Sequence, residues 1–218
     1  MIAPVVPGSL AVLGGTFNPV HYGHLRSALE LVEHLGLAQL SLMPCAQPPH
    51  RDAPAVSAEH RAKMVELAIA DEPRLVCDRR ELGRSGPSYT IDSLESVRSE
   101  QGVEASLSLV MGFDAFLDLD SWHRWQELLE VAHIVVIGRP GWQLPAAGPV
   151  AQWLSGHRVD SASALSGAPS GGIYIVEELR PLPISSTEIR SLLQSGNSVR
   201  YLLPDEVIDY IHTNALYA

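Results

Sequence analysis

Apolar positions along the chain form short continuous runs that alternate with stretches of helical periodicity. The runs predict buried strands at residues 9–15, 39–45, 74–78, 107–112, 133–139 and 172–178. The first helical stretch carries apolar side chains at Leu25, Ala28, Leu29, Val32 and Leu35. Gly36 follows as a residue suited to end that helix. Strands that alternate with helices indicate right-handed crossovers and a parallel sheet covered on both faces.

Further helices are predicted at residues 57–70, 90–98 and around 125–132, with two closing helices that open at Ser185 and near Pro204. Residues 140–172 are either an insertion or partly helical around Trp153, and the pattern leaves both open. We therefore predict an α/β protein with a Rossmann-like doubly wound parallel sheet at residues 1–183. A small C-terminal helical subdomain at residues 184–218 is expected to pack on it as one structural unit.

The composition is that of a globular protein in a reducing compartment. The chain has 218 residues, 46% apolar and 18% charged, which is enough to bury a core without metal or disulfide staples. Cys45 and Cys77 are too few for a disulfide framework, and no CxxC pair indicates structural zinc. The first residues lack a basic leader, and no stretch approaches about 18 uninterrupted apolar residues. We expect a cytoplasmic protein with no membrane partner.

The net charge of −10 argues against a long polyanion as the partner. Nucleic-acid binding depends on clustered Lys and Arg that neutralise many phosphates, so we expect no nucleic-acid partner. A mononucleotide needs only a few local cations, and small anions therefore stay open as ligands.

The segment GGTFNPVHYGH, residues 14–24, occupies the turn between the first predicted strand and helix. Open α/β sheets bind ligands at the carboxyl ends of their strands, where this turn lies. Gly14 and Gly15 let the backbone approach a phosphate closely, and the helix start offers N–H donors and a positive dipole end. The spacing is not GxGxxG, and no GKS or GKT follows, so dinucleotide-oxidoreductase and P-loop functions are both disfavoured.

His21 and His24 are three residues apart, so in a helical turn both imidazoles lie on one face beside Gly23, which leaves room for a bulky ligand. The two side chains would then converge on a phosphate. Two other interpretations stay open, namely histidines of the surface or core and a metal-binding pair. A metal site needs further ligands, and the sequence has no HExxH or carboxylate-plus-histidine cluster, so no metal ligands are named.

The segment GGTFNPVHYGH resembles the (H/T)xGH signature of the nucleotidylyltransferase superfamily, which class I aminoacyl-tRNA synthetases share in looser form. ISSTEIR, residues 184–190, is similar to the ISSTxIR segment of that superfamily, whose helix start faces the ATP phosphates. By their spacing alone, Ser185 and Glu188 predict a capping box, and Arg190 can reach an anion at the helix start. A plain capped helix is the alternative. The order of the two signatures, each beginning a helix, favours the resemblance.

Over almost its full length the chain resembles bacterial nicotinate-nucleotide adenylyltransferases. The blocks that carry this resemblance are PPHR (48–51), SYT (88–90), GFDAF (112–116), SWHRW (121–125), GRPG (138–141) and LLPDEVIDYI (202–211). The resemblance implies a transferase of NAD biosynthesis that moves AMP from ATP to nicotinate mononucleotide. Asn18 stands where many members carry Asp, and both types occur in the family.

The resemblance also implies a set of residues for each substrate. The acceptor set, for nicotinate mononucleotide, is Arg51, Tyr89, Thr90, Trp122 and Arg139. The ATP set is Gly14, Gly15, Thr16, Phe17, Gly112, Asp114, Ile184, Ser185, Ser186 and Thr187. The implied catalytic residues are His21, His24 and Arg190.

Within the acceptor set, Arg51 would neutralise the mononucleotide phosphate and Trp122 would stack on the pyridine ring. Arg139 would add a second phosphate or ribose contact, and Asp114 of the ATP set could accept bonds from ribose hydroxyls. The alternatives are a core position for Trp122 and ordinary loop positions for Gly112, Asp114 and Arg139.

The implied reaction needs no protein nucleophile. A phosphate oxygen of nicotinate mononucleotide attacks the α-phosphorus of ATP in line, and pyrophosphate leaves without a covalent intermediate. His24 and His21 would hold α- and β-phosphate oxygens, and Ser186, Thr187 and Arg190 would take the β and γ end. We expect Mg²⁺ to enter with ATP, held mostly by water and substrate.

Two alternative functions stay open, another small acceptor such as nicotinamide mononucleotide or phosphopantetheine, and a nucleotide-binding regulator without turnover. The intact set of His21, His24 and Arg190 argues against the regulator. We expect a monomer or a small homo-oligomer.

Overall fold

A computed structural model describes residues 8–47, 54–138, 143–177 and 179–217, so Arg51 and Arg139 lie outside the described residues. Its single sheet has parallel strands in the order β3-β2-β1-β4-β5-β6. The strands are β1 (Leu10–Gly15), β2 (Gln39–Pro44), β3 (Leu75–Cys77), β4 (Leu107–Gly112), β5 (His133–Ile137) and β6 (Ile173–Val176). This confirms the predicted doubly wound α/β fold.

Helices cover both faces of the sheet. They are α1 (Tyr22–Leu35), α2 (Ala58–Ala68), α3 (Thr90–Gln101), α4 (Phe113–Leu117), α5 (Leu128–Val131), α6 (Pro149–His157), α7 (Ala162–Leu165), α8 (Ser186–Gln194) and α9 (Asp205–Thr213). Short 3₁₀ turns occur at Leu119–Ser121 and Trp125–Glu127. Across the described residues, none of these helices has the length and apolar character required to cross a membrane.

Two details of the helices refine the sequence predictions. Helix α1 begins three residues before Leu25, because Tyr22, Gly23 and His24 already form its first turn behind an extended His21. It ends as predicted at Gly36, whose left-handed backbone (φ 63°) lets its N–H reach the Val32 carbonyl. In the segment 140–172, α6 and α7 show that the partly helical alternative is the correct one.

The core consists of two apolar layers, one on each face of the sheet. Leu42, Val110 and Val135 pack with the side chains of α1, α2, α8 and α9. Their chain neighbours Met43, Leu109, Met111, Ile134 and Val136 pack with α3, α5 and α6 on the other face. Because successive side chains of a strand point to opposite faces, burial of both faces explains why the strands are continuously apolar.

The strand order places a crevice at the carboxyl ends of β1 and β4. From β1 the chain proceeds to β2 on one side, and from β3 it returns to β4 on the other, so this is the topological switch point where doubly wound sheets bind ligands. Gly14 and Gly112 lie at these two strand ends, and a Cβ added at either would meet nothing within 4 Å. No described residue therefore fills the space next to Gly14 and Gly112.

Candidate functional site

A cavity of about 870 Å³ opens beside the carboxyl end of β1. Four segments far apart in the sequence form its walls: residues 16–18 with His24, residues 54–57 with His60, the first turns of α8, and residues 215–217. The first and third segments belong to the two signature motifs. The sequence contains both motifs, and the fold brings them to one cavity.

His24 lines this cavity, whereas His21 is 5% exposed and packs behind it. The two imidazole rings are stacked with their centroids 3.7 Å apart, and the edge of Phe17 contacts His24. Burial lowers the pKa of His21 to about 4, and burial together with the neighbouring His21 lowers the pKa of His24 to about 3. Both imidazoles are therefore neutral at pH 7, and neither Nδ1 atom has a hydrogen-bond partner among the described residues.

Gly23 is needed because of His21. A Cβ at residue 23 would lie 2.9 Å from His21 Nδ1 and 3.4 Å from the Ile184 carbonyl oxygen. The gap that the sequence predicted for a bulky ligand is thus filled by the imidazole of His21. Gly15 is required in a similar way, since a Cβ there would lie 3.0 Å from the ring of Phe17.

The second motif is locked onto the first by hydrogen bonds. Ser185 caps α8 by accepting the Glu188 N–H at 3.2 Å, which is the serine half of the predicted capping box. The Ser186 hydroxyl donates to the Pro19 carbonyl at 2.9 Å, and Arg190 Nη1 donates to the Asn18 carbonyl at 2.8 Å. These bonds hold the start of α8 and its Ser186 and Thr187 at the edge of the cavity.

The Arg190 guanidinium also donates to Thr187 Oγ1 at 3.2 Å and lines the cavity. None of the described carboxylates lies within ion-pair distance of it. Its positive charge is therefore available to an anion that enters the cavity.

The described members of the acceptor set form a separate cluster. Tyr89 and Trp122 pack on the apolar layer around α3, and Thr90 is the first residue of that helix. The Tyr89 ring contacts His123, with centroids 4.3 Å apart. These residues do not line the 870 Å³ cavity, and neither do Gly112, the N-cap of α4, and Asp114 in the first turn of that helix. The structure thus brings Thr16, Phe17, His24, Ser186, Thr187 and Arg190 to one cavity and places the described acceptor candidates, Tyr89, Thr90 and Trp122, on the opposite face of the sheet.

Arg124 fixes the loop that carries Trp122 and His123. Its backbone is left-handed (φ 52°), and its guanidinium pairs with Glu95 at 2.7 Å and Glu127 at 2.6 Å. Glu95 belongs to α3, so these pairs hold the loop against the helix that begins beside Tyr89. The left-handed backbone of a non-glycine residue persists here because the surrounding contacts determine it.

Several residues at or near the site had no role in the sequence predictions. Arg61 is 1% exposed and donates to the carbonyls of Thr16 at 2.7 Å, Cys45 at 2.6 Å and Val56 at 3.3 Å. A charged residue on the apolar stripe of α2 was the available signal. The Ser88 hydroxyl accepts the N–H groups of residues 46 and 47, both at 3.2 Å, which ties the SYT block to the strand end before PPHR.

No described cluster of three or more His, Cys, Asp or Glu side chains could hold a metal ion. Both cysteine thiols are unpaired, and burial raises the pKa of each to about 11. The thiols are consequently protonated at pH 7 and are poor nucleophiles.

A switch-point cavity with an imidazole, a guanidinium that no described carboxylate pairs with, and a capped helix start is the arrangement expected of an α/β protein of the nucleotidyltransferase class. In agreement, the family model described as cytidylyltransferase-like matches residues 12–192.

Proteins of similar sequence identify the family within this class. Proteins from Pseudomonas putida (strain W619) and Cellvibrio japonicus, both named "probable nicotinate-nucleotide adenylyltransferase", are 50% and 49% identical to the chain. The matches cover 95% and 96% of this chain and 94% and 98% of the relatives. The chain belongs to the nicotinate-nucleotide adenylyltransferase family. The fold also resembles Plasmodium falciparum nicotinic acid mononucleotide adenylyltransferase complexed with NaAD, at TM-score 0.71 and 18% identity over 96% of this chain and 97% of that one.

Proposed function

We propose that the protein transfers the AMP half of ATP to nicotinate mononucleotide, forming nicotinate adenine dinucleotide and pyrophosphate in NAD biosynthesis. The relatives that bear the name of this activity match at least 95% of the chain. The structural observation that carries the proposal is the meeting of His24 and Arg190 at one cavity beside the start of α8. An imidazole donor, a guanidinium and a helix start together suit a polyphosphate.

The reaction we propose is a direct in-line displacement. A phosphate oxygen of nicotinate mononucleotide attacks the α-phosphorus of ATP, the bond to the β-phosphate oxygen breaks, and pyrophosphate leaves. The protein contributes orientation and charge stabilisation, and no side chain becomes covalently attached.

In this proposal the neutral imidazole of His24 donates a hydrogen bond to the α-phosphate. A neutral imidazole carries one N–H, so His24 can donate at pH 7 without a change of protonation. His21 lies directly behind and holds the ring of His24, while its own contact with the β-phosphate stays a prediction. Arg190, Thr187 and the backbone N–H groups at the start of α8 bind the β- and γ-phosphates. The glycines at 14, 15 and 112 leave space for the nucleotide, with Thr16 and Phe17 as donors.

We assign the acceptor to the cluster of Tyr89, Thr90 and Trp122, whose aromatic faces suit a pyridine ring. Arg51 and Arg139 are proposed phosphate contacts outside the described residues. Attack on ATP then takes place across the β1–β4 crevice, between the two faces of the sheet on which the two sets lie.

The nucleotide substrate in this proposal is MgATP. In this proposal the ion is held mostly by the ATP phosphates and water. We further propose a cytoplasmic monomer or small homo-oligomer in which residues 184–218 act with residues 1–183 as one unit.

Pyrophosphate release tests the proposal. The protein is given ATP and Mg²⁺ with nicotinate mononucleotide, nicotinamide mononucleotide or phosphopantetheine, each separately. We expect release with nicotinate mononucleotide to exceed release with the other two. Equal use of the amide would overturn our assignment of the pyridine pocket but not the chemistry, and no release with any acceptor would indicate a nucleotide-binding regulator.

A further inference from the structure

Two walls of the cavity belong to neither signature motif: residues 54–57 with His60, and the chain after α9, residues 215–217. Tyr217 lines the cavity, and its hydroxyl donates a 2.7 Å hydrogen bond to Asn18 Oδ1. Burial raises the pKa of this hydroxyl above its ordinary value, so it stays a donor over the whole physiological range. A residue 199 positions away in sequence thus contacts the loop of the first motif.

The turn after α9 directs Tyr217 to this position. Ala215 adopts a left-handed backbone (φ 48°), its N–H bonds the His212 carbonyl, and the Leu216 N–H bonds the Ile211 carbonyl. These are the two hydrogen bonds of a Schellman motif, which reverses the chain after a helix. Helix α9 is itself held to α2 by a 2.8 Å bond between Tyr210 and His60. Residues 215–217, the C-terminal tail, therefore have a defined path to the cavity.

Asn18 is the point where the tail and both motifs meet. Its backbone carbonyl accepts the bond from Arg190, and its side-chain oxygen accepts the bond from Tyr217. Among the described residues the amide nitrogen has no partner, and Asn18 lines the cavity together with His24, Thr187 and Arg190. The bond from Tyr217 turns the oxygen end of the amide toward Tyr217, and the two N–H donors of the amide remain for a ligand.

We propose that Tyr217 is a positioning residue that turns the Asn18 amide so that its N–H groups bind a phosphate oxygen of ATP. The inference rests on the proposed function, since it takes ATP as the ligand of the cavity. The neighbouring cation and imidazole favour an anionic oxygen as the acceptor of these N–H groups. Tyr217 thereby acts on ATP through Asn18 and not by direct contact.

The test compares Tyr217→Phe, Asn18→Ala and the double variant in steady-state kinetics, with ATP and nicotinate mononucleotide varied in turn. We expect Tyr217→Phe to raise KM for ATP about three- to tenfold, the range of one hydrogen bond, and to leave KM for the acceptor unchanged. In the Asn18→Ala background, Tyr217→Phe should have no further effect.

Tyr201→Phe is the matched control, because Tyr201 lies in the same C-terminal region and is 84% exposed. It should match the wild type. An unchanged KM for ATP in Tyr217→Phe, an equal rise in both KM values, or the same effect with and without Asn18 would each overturn the inference.

A binding measurement separates this inference from the proposed function. Calorimetry with a non-hydrolysable ATP analogue needs no turnover, and Tyr217→Phe should weaken its binding by the same three- to tenfold. If the wild type releases no pyrophosphate with nicotinate mononucleotide, the proposed function fails while this measurement still decides the role of Tyr217. Unchanged analogue binding in Tyr217→Phe would overturn the inference alone.

Discussion

His24 is the side chain on which the proposed chemistry depends most directly, since it is the imidazole that lines the cavity. We expect His24→Ala to lower kcat by about 10²- to 10³-fold, as loss of one well-placed donor to a transition state does. The free energy of unfolding should change little by comparison. Pyrophosphate release and urea unfolding measure the two effects.

His157→Ala provides the control for that variant, because His157 is an exposed histidine of α6 outside the cavity lining. It should retain wild-type kcat. A wild-type rate in His24→Ala would contradict the assignment of the first motif.

The low pKa values of His21 and His24 predict a pH dependence of stability. In the unfolded chain both imidazoles protonate near pH 6.5, but in the folded protein only near pH 4 and pH 3. The unfolded state therefore binds more protons as the pH falls, so the stability that is complete above pH 6.5 is lost progressively below it.

This pH dependence is measured by comparing urea unfolding of the wild type and His24→Asn between about pH 7 and about pH 5. The free energy of unfolding of the wild type should fall more over this interval than that of the variant. The difference between the two pH slopes should correspond to at most one additional proton bound by the unfolded wild type. Equal pH dependence of the two proteins would show that His24 titrates normally in the folded state.

The positions of His21 and His24 at the start of α1 depend on the absence of a side chain at Gly23. In Gly23→Ala the new methyl group would lie 2.9 Å from His21 Nδ1, so that ring must shift and the stacked His24 must move with it. We expect kcat to fall about ten- to a hundredfold, the scale of a misplaced catalytic group. Steady-state kinetics measures the loss.

Gly156→Ala in α6 is the corresponding control, since a Cβ there would meet nothing within 4 Å. It should keep wild-type activity and raise the free energy of unfolding by up to about 1 kcal/mol, because alanine favours the helix. If Gly23→Ala were as active as Gly156→Ala, the stacked arrangement of His21 and His24 would be unnecessary for catalysis.

Arg61 joins segments that only the complete fold brings together. Its guanidinium donates to carbonyls after β1, after β2 and before α2, and the first of these, Thr16, also lines the cavity. Arg61→Met should lower the free energy of unfolding by about 2–4 kcal/mol, because three carbonyls lose their donor while the cost of burying a charge is removed. Urea unfolding measures this change.

Lys63→Met on the same helix replaces an exposed cation and should change the free energy of unfolding by no more than about 0.5 kcal/mol. If Arg61→Met were equally mild, the three bonds of Arg61 would contribute no net stability.

Local patterns in the sequence were sufficient for the six strands, for helices α1, α2, α3, α8 and α9, and for the two motifs. Continuous apolar runs predicted the strands, Gly36 predicted the end of α1, and Ser185 with Glu188 predicted the cap of α8. Each of these signals acts over a few residues, through backbone conformation, capping or burial on a nearby face. That is why they can be recognised without knowledge of the rest of the chain.

Contacts between distant segments were decided by the tertiary structure alone. His21 is placed behind His24, the Tyr217 hydroxyl reaches Asn18, and Arg61 reaches three segments, and none of these follows from spacing in the chain. The separation of the phosphate-binding and acceptor clusters likewise follows from strand order, which puts α1 and α8 on one face and α3 on the other. Apolar periodicity shows that a strand is buried, but only the packed sheet determines which residues lie opposite one another.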